Sequence, residues 1–295
     1  MRMIVTGASG LVGTEFDQLA SSQGHEIIPA VRRRQQSGVY WNVAEQTCDT
    51  EGFEGIDAVV HLAGENIAEG RWNDAKKKRI RESRVEGTKL IASTLASLQE
   101  KPAAFVCASA IGYYGNRGDE RMTENSSPGE GFLADVCREW ESATKVAADA
   151  GIRTVQGRIG VVLSEKGGAL KQMLTPFKMG VGGTIGSGNQ YMSWIAIQDL
   201  ARALLHCVTD SSLNGPVNLV APQPVTNREF TKTLGGVLKR PTIFPVPAFA
   251  AKLAFGQMAD DLLLSSTRVL PERLTDAGFQ FEYGDIKEAL SGQFG

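Results

Sequence analysis

The stretch Thr6-Gly7-Ala8-Ser9-Gly10-Leu11-Val12-Gly13 has the residue types and spacing to cradle a pyrophosphate. It lies between a short apolar run at residues 2–7 and a helical pattern from Leu11 to Gln23. Gly7 permits a tight turn, Gly10 lets backbone approach the phosphates, and Gly13 lets the helix pack against the strand. Free N–H groups and the positive dipole end of that helix would face the anion, with Ser9, Leu11 and Val12 on the same turn. Where a carboxylate would bind a ribose 2′-hydroxyl, about twenty residues on, the chain has Val31-Arg32-Arg33-Arg34. A guanidinium pairs with a 2′-phosphate, which a carboxylate repels. A solvated basic turn is the plain alternative. The expected cofactor is NADP(H), with Arg32 and Arg33 at the adenosine ribose.

Those residues must be held by strands and helices in alternation. Strands are expected at residues 2–7, His25–Val31, Asp57–Gly64, Ala104–Ser109 and Ile152–Val162. Helices are expected from Leu11 to Gln23, with Gly24 ending it, from Asn73 to Leu98, and from about Gly131 to Ala150. This order predicts an α/β fold, a Rossmann-type doubly wound parallel sheet. After Ser164 the texture changes to a glycine-rich loop at Gly180–Gly188, then a helix at Gln198–Thr209 and a strand at Pro216–Val220. A further helix opens with Thr226 and Glu229 in a capping box. We expect residues 1–163 to form the NADP-binding domain and 164–295 a smaller C-terminal α/β lobe on the substrate side. Part of the lobe's chain can return to the main sheet.

The bulk numbers exclude other classes. The 295 residues are 42% hydrophobic and 22% charged, with a net charge of −2, which gives no reason to expect a nucleic-acid or anionic-membrane partner. No apolar run reaches the roughly 20 residues of a bilayer span, and no secretion signal is visible. Cys48, Cys107, Cys137 and Cys207 form no CxxC pair, and with His25, His61 and His206 they argue against a metal site. A reduced, cytoplasmic setting is the expected one. The basic run from Lys76 to Arg84, interspersed with acids and without aromatic interleaving, reads as a solvated helix face.

The spacing Gly7-x-x-Gly10-x-x-Gly13 resembles the extended short-chain dehydrogenase/reductases, which include nucleotide-sugar epimerases. His61-Leu-Ala-Gly64, Arg84-Val-Glu-Gly-Thr88, Ser109 with Tyr114-Gly115, and Arg158-x-Gly160-Val161 are similar too. Ala63-Gly-Glu-Asn-Ile67 with Arg71-Trp72, Gly186-Ser-Gly188 with Ser193-Trp-Ile195, and Pro271-Glu-Arg-Leu274 with Gly278-Phe279 extend the likeness over nearly the whole chain. Together they resemble the atypical group labelled sugar-nucleotide epimerase or SulA-like. The resemblance adds Leu62, Ala63, Gly64, Glu65, Arg84, Ser109, Gly160 and Val161 to the expected cofactor contacts. The division-inhibitor part of the label finds no support in individual residues.

Catalytic members of the wider superfamily use a Tyr-x-x-x-Lys pair beside an upstream Ser, and the pair is missing here. Counting back from Glu141 and Arg158 puts Leu133 at the Tyr position and Cys137 at the Lys position. A second register uses Lys145 with Glu141 at the phenol, but Lys145 lies eight residues beyond Cys137, roughly 12 Å along a helix. The atypical group resembled here often carries Cys for that Lys and Arg for an upstream Asn, the place of Arg84. Ser109 could then polarise a carbonyl or be a strand-end hydroxyl. Tyr113 or Tyr114 could act as acid or line the pocket, and Cys137 could be a nucleophile or an inert buried thiol. Arg79 and Arg84 are phosphate ligands or solvated helix residues, and Glu65 is a ribose acceptor or a loop cap. Trp72 and Trp194 read as pocket walls, and Ala196 stands where the group usually has His. Two functions follow: an NADP-dependent oxidoreductase or epimerase acting on a small molecule such as a nucleotide sugar, or a non-catalytic NADP(H)-responsive regulator. The oligomeric state is left open.

Overall fold

A computed structural model describes residues 1–294. The first half of the chain contributes β1 (Arg2–Thr6), α1 (Leu11–Ser22), β2 (Glu26–Val31), β3 (Val39–Asn42), β4 (Thr47–Cys48), α2 (Thr50–Phe53), β5 (Ala58–His61), α3 (Asp74–Ser97) and β6 (Ala104–Ala110). After a 3-10 turn at Ile111–Tyr114 come β7 (Arg121–Met122), α4 (Phe132–Ala143), α5 (Lys145–Asp149), β8 (Arg153–Ile159) and β9 (Val161–Leu163). The remainder holds α6 (Gly168–Lys178), β10 (Tyr191–Met192), β11 (Trp194–Ala196), α7 (Ile197–Thr209), β12 (Gly215–Leu219), β13 (Val225–Thr226) and α8 (Asn227–Leu238). It closes with α9 (Ala248–Phe255), β14 (Arg268–Val269), α10 (Glu272–Asp276) and α11 (Ile286–Gly292).

The main sheet runs β12-β8-β6-β5-β1-β2-β3-β4, and all its pairs are parallel except the edge pair β3–β4. Its inner strands β1, β5 and β6 are buried on both faces, so they read as nearly continuous apolar runs. Alternate side chains still separate: Met3 and Val5 pack with Phe16 of α1 and Leu204 of α7, whereas Ile4 packs with Ile91 and Leu95 of α3. The strand order reverses between β1 and β5, which opens a crevice at their carboxyl ends. A third core joins α6, β11, α8 and α11 through Leu170, Trp194, Phe230 and Leu290.

Several expectations need correction. β3 had no expected counterpart. The helix expected to run to Ala150 breaks at Thr144, whose hydroxyl donates to the Glu141 carbonyl at 2.7 Å and accepts from Gln156 Nε2 at 2.7 Å. The strand expected at Ile152–Val162 breaks at Gly160. There a Cβ would stand 2.8 Å from the Ser193 carbonyl oxygen and from Val220, so only glycine fits. Beyond it β9 leaves the main sheet and pairs with β11. The capping box at α8 is formed as read, with Thr226 and Glu229 each bonded to the other's backbone N–H.

Candidate functional site

Gly7 sits at φ +72°, and a Cβ on it would come within 3.0 Å of the Ala63 nitrogen. On Gly13 a Cβ would lie 2.3 Å from the Gly7 carbonyl oxygen, while Gly10 N–H donates to that same oxygen at 2.9 Å. The loop is thus folded on itself, with Ser9 and Gly10 exposed, Leu11 and Val12 half-buried and Gly13 buried. No side chain caps α1 and no acid stands in its first turn, so the helix end is left to an outside anion. Leu62 and Ala63 are tied to the same place, because both N–H groups donate to the Thr6 hydroxyl at 3.1 and 3.2 Å. The Thr6 hydroxyl in turn is hydrogen-bonded to His61 Nδ1 at 2.7 Å. His61 is fully buried, and burial pushes its pKa down to about 4, so it is neutral.

Arg32, Arg33 and Arg34 are exposed just beyond β2, beside this loop in the sheet order. Arg34 stacks on the Tyr40 ring, 4.1 Å from its centroid. Among the described residues the Arg32 and Arg33 side chains have no ion pair, which fits them to an anionic group from outside. Leu11 also touches Gly167, which brings the start of α6 against the glycine loop.

On the other side of the crevice, Gly64 lies over the Arg84 guanidinium, where a Cβ would be 3.3 Å from Cζ. Arg84 Nη1 donates to the Glu65 carbonyl at 3.1 Å and the Ile80 carbonyl at 3.2 Å, with Cζ 5.1 Å from the Trp140 centroid. Burial lowers its pKa, against the opposing pull of Cys137 and Glu65. Gly64, Glu65 and Arg84 therefore form one cluster. The Glu65 carboxylate accepts from Lys76 Nζ at 2.8 Å and pairs with Arg79 Nε at 3.4 Å, and the Lys76 bond holds it below the ordinary carboxylate range. This corrects the reading of Lys76 as solvated: it is buried against Glu65. Trp72 packs edge-on against Phe132, 5.5 Å between centroids, at the foot of α4. Trp194 is no pocket wall; it is fully buried in the third core, and its Nε1 donates to the Gln223 carbonyl.

Ser109, Tyr114 and Cys137, the three residues considered for catalysis, are all buried. Tyr114 is fully buried; its hydroxyl donates to Asn218 Oδ1 at 2.7 Å and accepts from Arg158 Nη1 at 2.8 Å. Burial raises its pKa to about 12, so the phenol keeps its proton. Cys137 is buried on the inner side of α4, and burial pushes its thiol up to about 12, the opposite of nucleophile activation. Ser109 is buried too, and its hydroxyl donates to Glu141 Oε1 at 2.7 Å. Glu141 is held by Arg158 through Nε and Nη2, both at 2.8 Å. Burial alone would lower the Arg158 pKa, but its bonds to Glu141 outweigh that and raise it. Tyr113 remains half-buried, its ring 3.5 Å from Arg158 Cζ.

Glu141, Arg158, Asn218 and Glu124 were not among the expected site residues. Glu124 Oε1 accepts from Asn218 N–H at 2.9 Å, and burial raises its pKa. Their partners lie 17 to 149 residues away along the chain, so no local pattern marks them. Gly160 and Val161 occur at the strand break, where Val161 N–H donates to the Ser193 carbonyl at 2.9 Å.

The family model described as "NAD dependent epimerase/dehydratase family" matches residues 3–219, and a domain of unknown function matches residues 246–292. An epimerase family protein of Mycobacterium bovis is 42% identical over 288 residues, 97% of this chain and 95% of that one. The crystal structure of the human epimerase family protein SDR39U1 with NADPH is 34% identical, with a TM-score of 0.91 over 99% of this chain and 98% of that one. A nucleoside-diphosphate sugar epimerase from Corynebacterium glutamicum is 37% identical, with a TM-score of 0.83 over 100% of this chain and 58% of that one. The chain belongs to the NAD dependent epimerase/dehydratase family.

Proposed function

We propose that this protein binds NADP(H) across the β1–β5 crevice and works there as an oxidoreductase or epimerase-like enzyme on a small polar substrate. The observation that carries the cofactor reading is the pair of exposed, unpaired guanidiniums, Arg32 and Arg33, beside a glycine loop that no side chain fills. The human relative crystallised with NADPH supports the same reading. Gly7, Ser9, Gly10, Leu11, Val12 and Gly13 would hold the pyrophosphate, and Arg32 and Arg33 the 2′-phosphate. Leu62, Ala63, Gly64, Glu65, Arg84, Gly160 and Val161 would border the nicotinamide half. Bound nicotinamide supplies hydride chemistry. A nucleotide sugar is the substrate class that the C. glutamicum relative's name suggests. Calorimetry should show NADPH binding more tightly than NADH, and Arg32→Ala should weaken NADPH roughly ten- to hundredfold while leaving NADH unchanged. Equal affinity for both cofactors in the parent protein would sink the reading.

A second reading, a non-catalytic NADP(H)-responsive regulator, is favoured by the sealing of Ser109, Tyr114 and Cys137. It predicts tight NADPH binding without hydride exchange from deuterated NADPH to any carbonyl or sugar nucleotide. Observed label transfer would decide for the enzyme.

A further inference from the structure

The net charge of −2 conceals an uneven distribution in the C-terminal half. Between Glu165 and Asp199 there is no acid, while Lys166, Lys171 and Lys178 are present. Between Glu229 and Asp260 there is again none, while Lys232, Lys239, Arg240 and Lys252 are present. The fold brings parts of these two segments together. Val246 N–H donates to the Thr184 carbonyl at 2.8 Å, Gly186 N–H donates to the Val246 carbonyl at 2.9 Å, and Ile185 bridges Val246. A Cβ on Gly180 would touch Pro241 at 3.7 Å. Lys178, Met179 and Val181 therefore neighbour Lys239, Arg240, Ile243 and Phe244. Lys166 pairs with Glu15 and Lys252 with Asp260, but Lys178, Lys239 and Arg240 have no ion pair among the described residues.

The apolar residues here project rather than pack: Met179 is 72% exposed, Ile243 73%, Phe249 73% and Leu253 77%. Phe249 and Leu253 stand one turn apart on α9, directly after the Ile243-Phe244 loop. Ile243-Phe244 itself is spaced by Pro241, Pro245 and Pro247, which keep that segment extended. So many exposed apolar side chains in one place mark an interaction surface. A two-fold contact with a second copy would bring the unpaired Lys178, Lys239 and Arg240 of both copies onto one interface and is disfavoured. The partner must be anionic and apolar. A protein partner would meet these side chains in pockets shaped to them, whereas a lipid headgroup layer accepts protruding Phe, Ile, Met and Leu of any arrangement and pairs with flanking Lys and Arg.

We infer that this face, Lys178–Val181 with Lys239–Phe244 and the outer side of α9, docks the protein on an anionic lipid surface. The inference is independent of the cofactor reading. The test is co-sedimentation of the full chain with phosphatidylcholine vesicles, with and without a minor fraction of phosphatidylglycerol. Binding is expected only with phosphatidylglycerol, and it should fade as salt rises. Lys239→Ala and Arg240→Ala should each weaken it roughly fivefold. Ile243→Ser with Phe244→Ser should abolish it, with NADPH affinity by calorimetry kept as proof of folding. No sedimentation with phosphatidylglycerol vesicles at low salt overturns the inference. So does vesicle binding that neither set of substitutions changes. Self-association in sedimentation velocity, or binding to an acidic polypeptide, without vesicle binding would assign the face to a protein instead.

Discussion

A methyl group on Gly13 would stand 2.3 Å from the Gly7 carbonyl oxygen, and neither backbone atom can withdraw without unfolding the loop. Gly13→Ala should therefore abolish measurable NADPH binding and lower the melting temperature, whereas Ser9→Ala, at an exposed position, should leave stability unchanged. The buried His61 makes a pH prediction. Its pKa falls from 6.5 to about 4 on folding, so between those values the unfolded chain binds the extra proton. The contribution is complete above about pH 6.5 and is lost as pH falls toward 4, on the order of 3 kcal/mol in all. Denaturant titrations across that window should show the slope, and His61→Gln should flatten it; an unchanged slope would assign the effect elsewhere. Cys137, pushed up to about 12 by burial, should resist alkylation in the native protein and react only on unfolding. The glycine loop was legible because its chemistry is local, eight consecutive residues between a strand and a helix. Ser109, Tyr114 and Cys137 each kept two readings in the sequence, because exposure is decided by partners such as Asn218, 104 residues from Tyr114.

At the scale of elements, α4 is clamped to the sheet by one ion pair. Arg158 on β8 and Glu141 on α4 meet through two bonds of 2.8 Å, with side chains 3% and 13% exposed. Removing one partner leaves the other charge buried, so Glu141→Ala should destabilise by about 3–5 kcal/mol in urea titration. Joint replacement by apolar residues, Glu141→Leu with Arg158→Met, should recover part of the loss. No loss in the single variant would mean that water reaches Arg158. Most elements were readable, because strands buried on both faces make apolar runs and helices announce their ends. The helix expected to start at Asn73, for example, starts one residue later, with Asn73 as its cap accepting from Lys76 N–H. The breaks at Thr144 and Gly160 were not readable, since both are imposed by contacts from distant strands. β3 was missed because its apolar run is only Val39-Tyr40-Trp41, whereas the equally short β5 lies in a longer, mostly apolar run from Ala58 to Gly64.

For the molecule as a whole, the boundary expected at residue 163 cuts through shared structure. β12 comes from residues 215–219 yet pairs with β8 in full register, and α7 packs on α1 across the sheet face. A fragment of residues 1–163 should expose the β8 edge and the apolar floor under α7. It should be recovered aggregated or without a cooperative melt; a soluble fragment with a sharp transition would show that the first segment folds alone. The doubly wound parallel sheet was foreseeable from the alternation of elements, as was a return of part of the C-terminal chain to it; that β12 is the returning strand and lies beside β8 rests on long-range pairing that the sequence pattern does not reveal.

The fork at Gly160 has a consequence for how such a protein can be rebuilt. One unbroken run of backbone serves first the large sheet and then, a single residue later, the β9–β11 pair. The two halves are thus not interchangeable cassettes. Transplanting a foreign C-terminal half would require matching the tilt of a strand that both halves own, so recombination among relatives should succeed only at crossover points outside residues 153–163.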